Sequence, residues 1–439
     1  MTSGNAIEGA VERVSDRMML LTVCAYASAF VVFGLAVDGP GRVLRGLVEI
    51  VTTRDALLTD YFGIGGIGAG CVNAGLLTLC ACVVYRLAKA KITGASIAAL
   101  FLVLGFGLFG KNLLNIWSIV LGVLLYAKFK GEPFSAHINT AFFGTALAPV
   151  FSEILFSTLI PLEVRIPLAV VTSLVIGFIL PPAAAQLFKA HMGFSLYNMG
   201  FTAGIVGTLV VATYKSYGFV ADPVMIWTTG NNRLLGGFVM IVFASMVVVG
   251  YMLDHSLWSR LKQIVATTGQ APTDFIAIAG FGPALANMGL TGAIGTIYVL
   301  LVGGDLNGPV IGAIFTIVGF AAFGKHPKNI VPIMLGVFVA SLVKPWSASD
   351  PTILLAALFG TTLAPIAGRF GWHWGIVAGM IHSSAAQSVG ALHAGLNLYN
   401  NGFAAGIVAA VLAPVIIAIQ GGRQDSSGES GASPPDSKQ

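Results

Sequence analysis

GASIAALFLVLGFGLFGK, Gly94 to Lys111, and GPVIGAIFTIVGFAAFGK, Gly308 to Lys325, align without a gap. The second lies 214 residues after the first (325 − 111). The same offset places Asp60 on Asp274, Asn73 on Asn287 and Asn115 on Asn329. Further out, FGTALAP at Phe143 to Pro149 matches FGTTLAP at Phe359 to Pro365, with an offset of 216 (359 − 143). HMGFSLYNMGFTAGIV at His191 to Val206 matches HAGLNLYNNGFAAGIV at His393 to Val408, with an offset of 202 (393 − 191). Arg17 opens one apolar run and Arg233 another. Chance likeness between apolar helices scatters Leu, Val and Ala matches; it does not pair Lys with Lys, His with His and Asp with Asp in one order. The chain is therefore an internal duplication. Its expected parts are a cytoplasmic N-terminal segment 1–16, repeat 17–215, linker 216–232, repeat 233–420 and a disordered tail 421–439, which is rich in Ser, Gly, Pro and charge.

Composition says where the duplication lives. Hydrophobic residues make up 56% of the 439 and charged residues 9%. A soluble chain carries roughly 25% charged residues. So few charges cannot cover a water-facing surface, which excludes a soluble enzyme, a nucleic-acid binder and a disordered scaffold. The expectation is an all-α polytopic membrane protein of the bacterial inner membrane, in contact with lipid. The net charge of +5 is first a topology signal. Cys24, Cys71, Cys80 and Cys82 all sit in apolar runs and read as free thiols. No tight His, Cys and carboxylate cluster occurs, so neither a metal nor a cofactor is expected.

Each repeat reads as about seven apolar segments, giving about 14 spans. Gly41–Asp55, with Arg42, Arg45 and Arg54, reads as a separate amphipathic stretch along the interface. An odd number of segments inverts the second repeat. The loop Arg86 to Lys91 carries three positive charges, and the corresponding loop, Gly303 to Gly308, carries none. Ser259 to Lys262 is positive one segment earlier in the second repeat. The positive-inside rule then puts both termini, Arg86–Lys91 and Arg260–Lys262 in the cytoplasm, and leaves Arg42, Arg45 and Arg54 outside. Short segments, internal prolines and paired glycines in matching places predict broken or re-entrant helices around a midplane site.

Polar residues that recur in both repeats are the candidate site, because an ionisable group in an apolar run is costly. Lys111 and Lys325 close the two quoted strings, with Asn115 and Asn329 four residues on. Gly105 to Lys111 and Gly319 to Lys325 match G-x-x-x-x-G-K, but Asn112 and His326 stand where a P-loop needs Ser or Thr. Each lysine either binds an anionic group, aided by the Asn and a helix N-terminus, or snorkels to lipid phosphate. In H-x-G-x-x-L-Y-N-x-G-F, His191 and His393 can bind solute or carry a proton. Tyr197, Tyr399, Asn198 and Asn400 can line a wall and hydrogen-bond a solute. The bland alternative is a helix-packing glycine face with an Asn cap. Gln186 and Gln387, Asn73 and Asn287, and the threonines Thr145 and Thr361 add hydrogen-bonding capacity. Asp60 and Asp274 are either N-caps or carboxylates that couple transport to H+ or Na+.

FGKHPKN, Phe323 to Asn329, and LYNNGF, Leu398 to Phe403, resemble an uncharacterised family of bacterial multi-spanning membrane proteins, a domain of unknown function, over nearly the whole chain. That likeness implies no activity. A smaller likeness is to urea transporters, whose two inverted halves carry a Gly-Leu-x-Gly-[YF]-Asn-like element. Here Leu196-Tyr197-Asn198 and Leu398-Tyr399-Asn400 share its Tyr-Asn pair. The expected function is transport of a small polar solute, with an anion favoured by the paired lysines, by ion-coupled alternating access and without enzymatic activity. The alternatives are a passive selective channel and a membrane enzyme acting on a lipid-linked substrate with His191 or His393 as base. A homo-oligomer is left open.

Overall fold

The structure, a computed structural model, describes residues 14–158, 160–219 and 224–429, with side chains to Gln420. Most of the expected N-terminal segment 1–16 and the tail beyond 429 lie outside the described residues. The first half holds α1 (Asp16–Thr52), α2 (Tyr61–Leu87), α3 (Gly94–Phe106), α4 (Trp117–Lys130), α5 (Ile138–Gly144), α6 (Ala148–Leu155), α7 (Leu162–His191) and α8 (Asn198–Ser216). The second holds α9 (Asn232–Leu253), α10 (Leu257–Ala266), α11 (Phe275–Ala279), α12 (Phe281–Leu301), α13 (Gly308–Phe320), α14 (Pro327–Ser341), α15 (Pro351–Gly360), α16 (Ala364–Phe370), α17 (Trp372–Val389) and α18 (Asn400–Glu429). The last helix runs past Gly421, where the sequence suggested the tail begins.

The halves match element by element once their kinks are aligned. α1 bends at Gly39 (φ +73°), which corresponds to the break between α9 and α10. α2 bends at Gly66 (φ +88°), and Gly280 (φ +94°) divides α11 from α12 at the same place. Both backbones lie where an L side chain is strained, so glycine alone takes the bend cheaply. Each half therefore has seven segments. Among the described residues, eight helices are long and apolar enough to cross a membrane: α1, α2, α5–α6, α7, α9, α12, α15–α16 and α18.

The stretch after Gly41 follows the kink at Gly39 as the counterpart of α10, and it packs on α2, where a Cβ at Gly46 would lie 2.1 Å from the Gly65 carbonyl oxygen. One expectation needs correction: about 14 spans is too many, since α3 and α13 have only 13 residues each. At 1.5 Å per residue that is about 20 Å, short of the roughly 30 Å hydrocarbon core.

α3 and α13 form the centre. Every residue of α13 is buried, and so is nearly every residue of α3. They lie antiparallel: Gly94 meets Ala322, Gly105 meets Gly312, and Gly308 meets Leu108. Phe101 and Phe315 stack between them with ring centroids 6.2 Å apart. The close approach depends on small residues, because a Cβ at Gly105 would come within 2.7 Å of the Gly312 carbonyl oxygen.

Candidate functional site

The two lysines close the tips that follow α3 and α13, at opposite ends of this central pair. Asn73 on α2 fixes the first tip by donating to the carbonyls of Gly107 (2.7 Å) and Lys111 (2.9 Å). Asn287 on α12 does the same to Ala321 and Lys325, each at 2.8 Å. With their carbonyls tied down, both lysine side chains turn inward. Each is fully buried, so neither reaches a headgroup and the snorkelling alternative falls. Among the described residues no salt bridge engages either ammonium.

Their tyrosine partners come from the opposite half. Lys111 Nζ donates to the Tyr399 hydroxyl at 2.6 Å and lies 5.0 Å from the Phe106 ring centroid. Lys325 Nζ donates to the Tyr197 hydroxyl and to Thr361 Oγ1 (2.7 Å), and lies 5.5 Å from the Phe320 ring centroid. The Tyr-Asn motifs are threaded across in the same way. The amide of Leu196 donates to the Thr362 carbonyl (3.1 Å), and that of Leu398 to the Ala146 carbonyl (3.0 Å). The two motifs meet at Gly200 and Gly402, where a Cβ on Gly200 would lie 2.8 Å from Gly402 Cα. The histidine-motif segments thus converge at the centre, and the swapped contacts define an approximate two-fold relation.

Other predicted residues have different places. His191 and His393 each spend Nε2 on the Oδ1 of their own motif's Asn, Asn198 and Asn400, both at 3.0 Å. Those Asn donate to the carbonyls of Ala184 (3.0 Å) and Ala386 (2.9 Å) and so close the turn between helices. Asn115 and Asn329 brace the tips, accepting from the amides of Asn112 and His326 and donating to the carbonyls of Gly110 and Gly324. Asp60 caps α2 and also accepts from the Gly308 amide (3.1 Å) and the Thr228 amide (3.2 Å). Asp274 caps α11 and accepts from the Gly94 amide (3.0 Å). Each carboxylate therefore holds the start of the other half's central helix. Gln186 and Gln387 do not belong to the site, since both are exposed. Two residues along a helix is a turn of about 200°, so Gln186 faces away from inward-facing Ala184. They are not equivalents either: with Ala184 on Ala386, Gln186 falls on Ser388.

Between the tyrosines lies a cavity of about 240 Å³. Phe106, Phe143, Phe320, Phe323 and Phe359 make it largely aromatic; Asn139, Thr140, Ser195, Tyr197, Asn198, Thr316, Tyr399 and Asn401 supply polar atoms. The lysines are not in its wall but stand behind the tyrosine hydroxyls. A second cavity, of about 30 Å³, is lined by Leu57, Phe109, Leu355, Phe359, Ala386, Leu398 and Asn400 among others. At the sequence offsets of the repeat these correspond to Ala271, Phe323, Asn139, Phe143, Ala184, Leu196 and Asn198 of the larger one. The two cavities are counterparts of very unequal size. Sequence reasoning missed Asn139 because its counterpart, Leu355, is apolar. It missed Phe106 and Phe320 although they repeat, because apolar residues in apolar runs carry no signal of their own.

A family model described as a protein of unknown function (DUF1576) matches residues 40–216 and 253–418. The chain belongs to the DUF1576 family. The two matched segments fall within the two structural halves, so the DUF1576 match follows the duplication. No curated protein and no solved structure matches the chain.

Proposed function

We propose that this protein is a transporter of a small organic anion with an apolar body, working by ion-coupled alternating access in the bacterial inner membrane. The observation that carries the reading is the pair of counterpart cavities, about 240 and about 30 Å³, the larger of them lined by both tyrosines, each of whose hydroxyls takes a hydrogen bond from a buried lysine of the other half. Halves with matched contacts but unequal cavities are what one state of an alternating pair requires. In the other state the smaller cavity opens and the larger one closes. The antiparallel α3 and α13 support halves that are inverted across the membrane, with these short central helices as re-entrant elements. A buried ammonium without a counter-ion is costly, and an anion in the cavity relieves that cost, while the aromatic wall takes an apolar body. A passive channel would need both ends open together, against which the small cavity speaks. Neither His191 nor His393 lines the larger cavity, which argues against an enzymatic base.

Thermal unfolding of the purified protein tests the substrate class, because ligand binding raises apparent stability by mass action. Benzoate is expected to stabilise in a concentration-dependent way, and benzamide, its neutral counterpart in shape, is not. Equal stabilisation by both, or by neither, would sink the anion reading. Orientation is tested separately. In a protein whose four cysteines are replaced, Lys89→Cys and Asp305→Cys are expected to react with an impermeant maleimide from opposite sides of the membrane. Reaction from one side refutes inversion.

A further inference from the structure

We propose that Asp55, which has no counterpart in the second half, takes up and releases the coupling proton; this rests on the transport reading above. Asp55 lies in the loop between α1 and α2 and is fully buried. It stands two residues before Leu57, which lines the smaller cavity. The equivalent position in the second half is Gly269, so the acid serves one end of the protein only.

Its surroundings are built for a carboxyl that changes state. Oδ1 accepts from the Tyr61 hydroxyl (2.8 Å). Oδ2 accepts from Ser152 Oγ (2.8 Å), Asn115 Nδ2 (2.9 Å) and Asn112 Nδ2 (3.2 Å). Tyr61 comes from α2, Ser152 from α6, and the two Asn from the Lys111 tip. The charged groups nearby are otherwise engaged: Glu153 on α6 pairs with Arg54 (3.6 Å), Lys111 donates to Tyr399, and Asp60 caps α2. Hydroxyls can reverse, donating to a carboxylate or accepting from a carboxylic acid. A proton arriving from water on the smaller-cavity side bonds to Oδ2. The new O–H then donates to Ser152 Oγ, whose own hydrogen turns off Oδ2; Ser152 Oγ, which also accepts from Asn115 Nδ2 (3.2 Å), has a second lone pair for that bond. Asp274 differs: backbone amides hold it, and those donors cannot reverse. Asp60 takes one hydroxyl, from Thr228, but three backbone amides fix it as the cap of α2 and the anchor of α13. Burial pushes the Asp55 carboxyl up to about 6, with Glu153 adding to the rise, while the hydrogen bonds from Ser152, Tyr61 and Asn115 oppose it. The group therefore titrates close to neutral pH.

The test follows protons and benzoate together. With its folded value near 6 against an ordinary 3.8, Asp55 contributes stability that is fully present below about pH 4 and lost as pH rises through about 6. Asp55→Asn is expected to remove that component from the unfolding temperature measured between about pH 4 and about pH 8. Ser152→Ala keeps the carboxyl and removes one donor, so its transition moves to higher pH. In weakly buffered solution with a pH dye, benzoate binding is expected to draw a proton into the wild type and none into Asp55→Asn. Benzoate binding without proton uptake, or with equal uptake in both proteins, overturns the assignment and leaves the anion reading standing. If benzoate binds neither protein, the anion reading fails, and identical pH–stability curves for wild type and Asp55→Asn overturn the assignment independently.

Discussion

Lys325→Gln is expected to weaken benzoate binding about 10- to 150-fold, the equivalent of about 1.5–3 kcal/mol for a charge-assisted hydrogen bond. Glutamine keeps much of the length and hydrogen-bonding capacity and removes only the charge. The lysine stands behind Tyr197, whose ring and hydroxyl face the larger cavity, so its charge acts through the hydroxyl it holds. Lys111→Gln is expected to cost less. Lys111 has one hydroxyl partner where Lys325 has two, and the small cavity lies at its end. Lys325→Arg is expected to fall between wild type and Gln, since a planar guanidinium cannot sit as a compact ammonium does between a tyrosine and a threonine. The measurement is the benzoate dependence of the unfolding temperature for each variant. Wild-type dependence in both Gln variants would remove the lysines from recognition and make a neutral solute the better substrate class.

Gly200→Val is expected to lower the unfolding temperature sharply and to abolish benzoate binding as well. At this crossing a Cβ would lie 2.8 Å from Gly402 Cα and 3.2 Å from Tyr399 Cβ. The first obstacle is backbone, which cannot rotate aside. Overpacking costs about 1–3 kcal/mol where side chains can yield, and a branched side chain against backbone exceeds that. Moving α8 away from α18 also pulls Tyr197 and Tyr399 off their lysines, so both ends of the site fail together. Gly237→Val on α9 is the matched control: nothing lies within 4 Å of its Cβ position, and little change is expected. A Gly200→Val protein that unfolds and binds like wild type would mean that the two motifs do not need this contact.

Reading residues in pairs found the parts of the site but not their partners. Lys111, Lys325, Tyr197 and Tyr399 all stand out because each appears twice in an apolar setting. Nothing along the chain says that Lys111 meets Tyr399 rather than Tyr197. Pairing by repetition also misled at Gln186 and Gln387, which look equivalent but differ by one residue in register, and it passed over Asp55 because Gly269 stands opposite. Symmetry reveals what the halves share. It is blind to what makes one half different, and Asp55 is such a difference.

The sequence by itself determined the membrane setting, the duplication, the seven segments per half and the glycine kinks. These follow from hydropathy, periodicity and backbone freedom, which are local properties that repeat copies intact. Tertiary structure alone decided which half supplies each partner, where the cavities lie and that they are unequal. Those depend on how two nearly identical halves pack against each other. Near-identical surfaces allow several pairings, and the close approaches at Gly105–Gly312 and Gly200–Gly402, with the bonds of Asp60 and Asp274 to the other half, belong to one of them.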